Sequence, residues 1–350
     1  MKLTRLFLLA ISVSLFVSCS NDDDNDTPKG AYDNGFFILN EGSTGGGSVS
    51  FASDDLSNFT ADVYKTANAG DFAGVYLQNI FFNGDNAYII AGGSNVINVV
   101  NRYTFKLVAK IDSGLANPRY GVVKDGKAYV TNANTYSYIN PATGDTDDYV
   151  AIIDLATNKY ESKIDLNATA NRILLENGKL YITEPYSSDK LLVVNPATKA
   201  LETPVTVGYN ADSMEVKDGI LYILRGLSGA SSEIVKVKLA DKTASKITIP
   251  QAQGRAGYLD IYNDKIYYTV GKAVYAINAT ATDAATTPIF TATLSTGGSI
   301  YGFAVNNDKI FIADAGDYAS NSKAYIYNLS GVSQKELTVG IGPNGFYFNN

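Results

Sequence analysis

A short hairpin signature recurs seven times along the chain, and it limits the fold more than any other feature. In order the copies are Asp33-Asn-Gly-Phe-Phe-Ile-Leu39, Asn83-Gly-Asp-Asn-Ala-Tyr-Ile-Ile90, Lys124-Asp-Gly-Lys-Ala-Tyr-Val130, Glu176-Asn-Gly-Lys-Leu-Tyr-Ile182, Lys217-Asp-Gly-Ile-Leu-Tyr-Ile223, Asn263-Asp-Lys-Ile-Tyr-Tyr-Thr269 and Asn307-Asp-Lys-Ile-Phe-Ile-Ala313. Each reads as a tight polar turn leading into an aromatic, β-branched strand. Asn-Gly and Asp-Gly tolerate positive φ at both central residues, as two-residue hairpins require. The aligned aromatics are Phe37, Tyr88, Tyr129, Tyr181, Tyr222, Tyr267 and Phe311, separated by 51, 41, 52, 41, 45 and 44 residues. An all-strand repeat of that length builds one four-stranded propeller blade per copy. The expected fold is all-β: a seven-bladed β-propeller with four antiparallel strands per blade.

At 350 residues the chain could hold two domains. Seven repeats of one kind override that, because a propeller is one closed domain. The 25 Tyr, 15 Phe and 31 Gly suit a protein of strands and turns. A net charge of -7 and a pI near 4.8 argue against nucleic acid or an anionic membrane surface as partner. There is no His, which removes Ser-His, Cys-His and every His-metal site. There is no Trp, and the one Cys, Cys19, can form no intramolecular disulfide.

Residues 1–18 read as a secretory signal. Lys2 and Arg5 form its charged start, and the apolar run Leu6–Val17 is too short for a comfortable membrane span. The run ends at Phe16-Val-Ser-Cys19, similar to a bacterial lipoprotein processing site, with lipid on Cys19; ordinary secretion with an incidental Cys is the alternative. Removing Lys2 and Arg5 leaves 26 basic against 35 acidic residues, a net of -9. Residues 19–31 begin with Ser20-Asn-Asp-Asp-Asp-Asn-Asp26 and read as an acidic tether. That run resembles the export signal of outer-membrane lipoproteins of Bacteroidetes, or is a plain spacer. Residues 32–350 form the expected propeller.

Blade one offers Gly35–Leu39, Gly47–Phe51 and Thr60–Tyr64, three strands rather than four. Gly342-Pro-Asn-Gly-Phe-Tyr-Phe-Asn349 resembles the inner strands of the other blades and has nothing after it. The C-terminal strand should therefore complete the N-terminal blade and close the ring. Loops from the signature strand to the third strand vary in length. They share a face with the residues leading into the inner strands, around the mouth of the central channel. Variable loops on a rigid frame are where binding usually resides.

The lead-in residues offer Asn79, Arg119, Tyr120, Arg172, Asp212, Arg255, Tyr258, Tyr301 and Asn344. The loops offer Glu41, Asn132, Tyr136, Tyr138, Glu184, Tyr186, Arg225, Asp314, Asp317 and Tyr318. From these the expected ligand-binding set is Glu41, Asn79, Arg119, Tyr120, Arg172, Glu184, Tyr186, Arg225, Tyr258, Tyr301 and Asp317. Tyr supplies broad amphipathic contact at low entropy cost, and Arg supplies forked donors. Such a face suits a bulky, partly polar ligand. The competing reading is that these side chains pack the channel wall and bond neighbouring blades. Gly144-Asp-Thr-Asp-Asp148 could hold a hard cation but lacks the spacing of a calcium loop. Glu41, Glu184, Asp314 and Asp317 could pair for glycoside cleavage if they share a face. Gly226-Leu-Ser-Gly229 and Gly45-Gly-Gly47 lack a phosphate-cradle pattern and read as loop glycines. No catalytic set, metal or cofactor is expected.

The lipoprotein start, the opening Phe36-Phe-Ile-Leu-Asn-Glu-Gly42, Asn117-Pro-Arg-Tyr120 with Lys127-Ala-Tyr-Val-Thr131, and the ending Ala313-Asp-Ala-Gly-Asp-Tyr318 with Val339-Gly-Ile-Gly-Pro343 carry a resemblance. They are similar to the surface-exposed propeller lipoproteins of Bacteroidetes, the surface-layer or YncE-like family. The likeness spans essentially the whole mature chain. One branch, the BtuG-like proteins, captures cobalamin on the propeller face and caps a TonB-dependent outer-membrane transporter. The resemblance thus implies a lipid-anchored, non-enzymatic capture protein at the cell surface, serving cobalamin, another corrinoid or a different nutrient. It also implies a monomer apart from the transporter. Without Trp or His, Tyr would form the corrin-binding face. The alternatives are a scaffold propeller for protein partners and, further off, a carboxylate-based hydrolase or lyase.

Overall fold

The computed structural model describes residues 28–134, 147–186 and 188–349. It contains seven antiparallel sheets of four strands each, arranged as the blades of a ring. Blade 2 shows the common plan: inner strand Leu77–Asn83, signature strand Asn86–Ala91, third strand Val96–Asn101, outer strand Leu107–Ile111. Blades 3 to 7 repeat it, with inner strands Pro118–Lys124, Arg172–Glu176, Ala211–Lys217, Ala256–Tyr262 and Ile300–Asn306.

Blade 1 is made from both ends of the chain. Its inner strand is Pro343–Asn349, paired antiparallel with Gly35–Ser43 from Gly35↔Asn349 to Asn40↔Pro343. The ring is closed as the sequence implies. The blade departs from expectation at its rim. Only Phe59–Thr60 pairs as the outer strand, and Val63–Ala67 is a one-turn helix rather than strand. Asp62 accepts from the Lys65 N–H at 3.1 Å and caps that turn. Val63 and Tyr64 are then buried beneath the blade, which outweighs their β preference.

The signature turns divide by residue type. Asp125-Gly126, Asn177-Gly178, Asp218-Gly219, Asn263-Asp264 and Asn307-Asp308 have positive φ at both central residues. In Gly84-Asp85 only Gly84 does, as a turn with Gly leading requires. The first copy makes no hairpin, because its preceding strand is the C-terminal one. There only Asn34 has positive φ.

Each signature aromatic is buried and faces the next blade. Phe37 packs with Leu77, Ile80 and Ala87 of blade 2, and Tyr88 with Ala128 and Val130 of blade 3. The series ends with Phe311 against Phe36 and Ile38 of blade 1. Burying one such ring is worth about 1.5–3 kcal/mol. The repeat is thus the interblade core written into sequence. All signature turns lie at one end of the strands. The loops and lead-in residues lie at the other.

Candidate functional site

The inner strands surround an axial channel divided into two cavities. The mouth cavity, of about 520 Å³, opens on the loop face. Its wall includes Glu41, Tyr76, Gln78, Asn117, Arg119, Tyr120, Asn171, Arg172, Tyr186, Asp212, Tyr258, Tyr301 and Asn344. A lower chamber of about 450 Å³ is lined by Asn79, Ser213, Met214, Glu215, Asp260, Phe303, Asn306, Phe346, Tyr347 and Phe348, among others. Tyr120, Arg172, Tyr258 and Asn344 border both and form the waist.

Polar side chains of this wall latch each blade to the next, at least once at every boundary. Asn344 Nδ2 donates to the Leu77 carbonyl at 2.8 Å, and Asn79 Oδ1 accepts from Gly121 N at 3.2 Å. Arg119 Nε donates to Asn171 Oδ1 at 3.1 Å, and Arg172 Nε to Asp212 Oδ1 at 2.7 Å. Ser213 Oγ accepts from Leu259 N at 3.2 Å and donates to Leu259 O at 3.0 Å. Asp260 Oδ2 accepts from Val305 N at 2.6 Å. The Tyr301 hydroxyl donates to the Glu41 carboxylate, which also accepts from Gln78 Nε2 at 3.3 Å. The packing and binding readings therefore describe the same side chains seen from their two ends.

Electrostatics concentrate at the waist. Burial works against the Arg172 charge, but the Asp212 carboxylate more than restores it, so its affinity for the proton rises. Its guanidinium lies 4.7 Å from the centre of the Tyr120 ring, a cation–π contact. Channel water still reaches 27% of the Arg172 side chain. Burial raises the Tyr258 and Tyr301 hydroxyls; the Glu41 carboxylate raises Tyr301 further, while the Arg172 charge partly offsets the rise at Tyr258. Both phenols stay protonated at neutral pH, and that of Tyr301 donates to Glu41.

Of the expected ligand-binding residues, Glu41, Arg119, Tyr120, Arg172, Tyr186, Tyr258 and Tyr301 line the mouth cavity, and Asn79 lies below the waist. Three sit elsewhere. Glu184 is buried, accepting from Tyr186 N at 3.0 Å and Thr169 Oγ1 at 3.4 Å. Arg225 pairs with Glu233 and donates to the Tyr209 carbonyl at 2.9 Å, at the edge of blade 5. Asp317 accepts from Ala319 N and Ser320 N at 2.9 and 2.8 Å, which holds its carboxyl down at about 2. Short loops close on their own polar side chains, so charge in a loop did not mean charge in the cavity. Asp314 likewise accepts from Ser295 N and Gly316 N and is fully buried. Of Glu41, Glu184, Asp314 and Asp317, only Glu41 lines the mouth cavity. Asp148 accepts from Asn134 N and Ala170 N, while Tyr136, Tyr138, Gly144 and Cys19 lie outside the described residues. Among the described residues no group of three or more metal-ligating side chains occurs.

The carboxyls that do meet in the channel are Glu215 and Asp260, which the lead-in residues did not reveal. In blades 2, 3, 5, 6 and 7 the inner strand slips register near its start, between Ala211 and Met214 in blade 5 and between Ala256 and Leu259 in blade 6. Such a bulge re-aims the side chains beyond it. The alternation of a simple strand then fails to say which residues face the channel. A Gly or polar residue interrupting each inner strand was the available signal.

The sequence matches the model of the family described as Domain of unknown function (DUF5074) over residues 34–348. No curated protein matches it. Among solved structures it is similar to a quinoprotein alcohol dehydrogenase-like protein from Bacteroides thetaiotaomicron. The TM-score is 0.70 at 20% identity, covering 91% of this chain and 79% of that one. It is also similar to the computationally designed Ika8 protein, with TM-score 0.60, 9% identity and 92% of both chains covered. Hydrazine synthase of Kuenenia stuttgartiensis gives 0.59 at 13% identity, over 75% of this chain and 86% of that one. At such identities the likeness concerns the fold alone. With nearly its whole propeller matched, the chain belongs to the DUF5074 family.

Proposed function

We propose that this chain is a non-enzymatic ligand-binding propeller that captures a small, partly polar, ring-bearing nutrient at the channel mouth. The observation that carries this reading is the mouth cavity: about 520 Å³, walled by Tyr76, Tyr120, Tyr186, Tyr258 and Tyr301, with Arg119 and Arg172 facing in. That size and mixture match a small-molecule site. At the waist, the buried Oδ1 of Asn344 has no hydrogen-bond partner among the described residues. An unpaired buried acceptor is costly, and a donor from ligand or water would relieve it.

The resemblance noted in the sequence extends the proposal to its setting: a lipoprotein anchored through Cys19 at the cell surface, passing cargo to a TonB-dependent transporter. Isothermal titration with cobalamin, related corrinoids and a panel of smaller aromatic and sugar nutrients tests the capture reading. Binding that weakens in Arg119→Ala and Tyr258→Ala, with melting little changed, supports it. The same substitutions unfolding the protein would leave only the latch role. A second reading, a scaffold for protein partners, draws on the exposed aromatics Tyr209 and Tyr318, 55% and 50% accessible, outside the mouth wall. Co-purification that survives loss of the mouth residues but not of these two would favour it.

A further inference from the structure

The lower chamber contains a carboxyl pair that ligand capture at the mouth does not use. Glu215 on the inner strand of blade 5 and Asp260 on that of blade 6 line the same cavity. Asp260 cannot turn away, because its carboxyl accepts from Val305 N at 2.6 Å and Ile261 N at 2.7 Å. Glu215 lies within reach of its charge. Two like charges in a poorly solvated wall disfavour each other. Burial, then the Asp260 charge, raises Glu215 above the usual carboxyl range against a smaller opposing pull from Arg172, and burial raises Asp260 against the bonds from Val305 N and Ile261 N.

The remaining titratable groups of the chamber are few. Blade 4 supplies Arg172, whose Nε is already engaged by Asp212. Blades 3, 6 and 1 supply Tyr120, Tyr258 and Tyr347, and burial keeps the last two protonated. Blades 2 and 7 contribute no charged side chain to it among the described residues. Along the whole channel, Arg119 and Arg172 face Glu41, Asp212, Glu215 and Asp260. The lining is balanced when the pair carries its protons, and two charges negative when it does not. Arg172 and Tyr258 belong to both cavities, so this change is felt at the mouth.

We propose that Glu215 and Asp260 form a proton-operated charge switch for the channel, favouring anionic ligand groups when protonated and cationic ones when ionised. The proposal rests on the mouth being the ligand site. Protons and ligand are then linked reciprocally: a ligand preferring one state of the pair shifts its titration.

The test is carboxyl-¹³C NMR of the intact chain, labelled at Asp and Glu and titrated alone, with benzoate, and with benzylammonium. Two separated steps are expected, the upper one above the ordinary carboxyl range. Benzoate should move that step up and benzylammonium should move it down. A roughly tenfold preference between the two states appears as about one pH unit. Glu215→Gln should abolish both shifts. Asp260→Asn, whose amide oxygen can still accept from Val305, is the second variant should the first fail to fold. A single ordinary step, or an upper step that neither probe moves, overturns the switch. Capture at the mouth is judged separately, from the Arg119→Ala and Tyr258→Ala isotherms, so failure of the switch is told apart from failure of capture.

Discussion

The signature strands and the inner strands lie side by side in every blade, yet they obey different rules. The signature strand is buried on both faces and repeats its residues: turn, aromatic, β-branched. Its aromatic ring always meets the next blade. The inner strand faces the channel, in most blades slips register near its start, and solves the same boundary with varied side chains. Across the seven boundaries the latch is an amide, an arginine, a serine, an aspartate or a tyrosine. A repeated solution marks a part whose only task is packing. A varied one marks a part free to take on chemistry.

Removing the closing strand should break this arrangement most. Truncation after Gly340 deletes Phe346, Tyr347 and Phe348 and leaves Gly35–Leu39 with an unpaired edge. Three aromatic side chains at about 1.5–3 kcal/mol each approach the whole stability of a domain. Circular dichroism should find no cooperative unfolding transition; a truncated chain that melts like the intact one would contradict ring closure.

Next comes a direct contrast between the two strand types. Tyr88→Ala in the signature set should cost about 3–5 kcal/mol in denaturant unfolding, the cost typical of deleting a buried ring. Tyr258→Ala, facing the cavity, should cost visibly less stability and more affinity. Equal stability losses would mean that the channel face is as much core as the signature face.

The pH dependence sharpens the comparison within the inner strands. Burial and Asp260 raise Glu215 in the fold. The folded chain thus keeps a proton that the unfolded chain releases above about pH 4.3. Stability contributed at this position falls as pH rises from there through the raised value. Glu215→Gln cannot ionise, so it should raise the melting temperature near pH 8 and leave it unchanged near pH 4, both approximate settings around the reference carboxyl range. A variant that melts lower at the alkaline end would show the carboxylate to be stabilising.

The smallest effect is expected at Asp317. It faces the loop side but closes its own turn. Asp317→Asn should leave ligand affinity unaltered and change melting only slightly. A clear affinity loss would bring that loop back into the site.

Much of the candidate site was legible. Arg119, Tyr120, Arg172, Tyr258 and Tyr301 were picked out because they precede a recognisable strand on the variable side of the ring. The placement of Glu184, Arg225 and Asp317 outside the cavity is not legible, since sequence does not show whether a loop charge turns toward the cavity or back onto its own backbone. Glu215 and Asp260 were missed because a bulge upstream of each changes which residues point inward.

The sequence by itself determined the blade count, the order of strands and the use of the C-terminus to close the ring. Those follow from local turn chemistry and from a hydrophobic pattern that repeats with the blade. Tertiary structure alone decided which polar side chains meet across a boundary, and that two carboxyls from neighbouring blades share one chamber. Such meetings depend on residues a blade repeat apart in the chain or, where the ring closes, most of the chain apart, and on a register slip that local preference does not record. The seven-fold hairpin therefore specifies the frame, while the channel it encloses is defined only once the ring has closed.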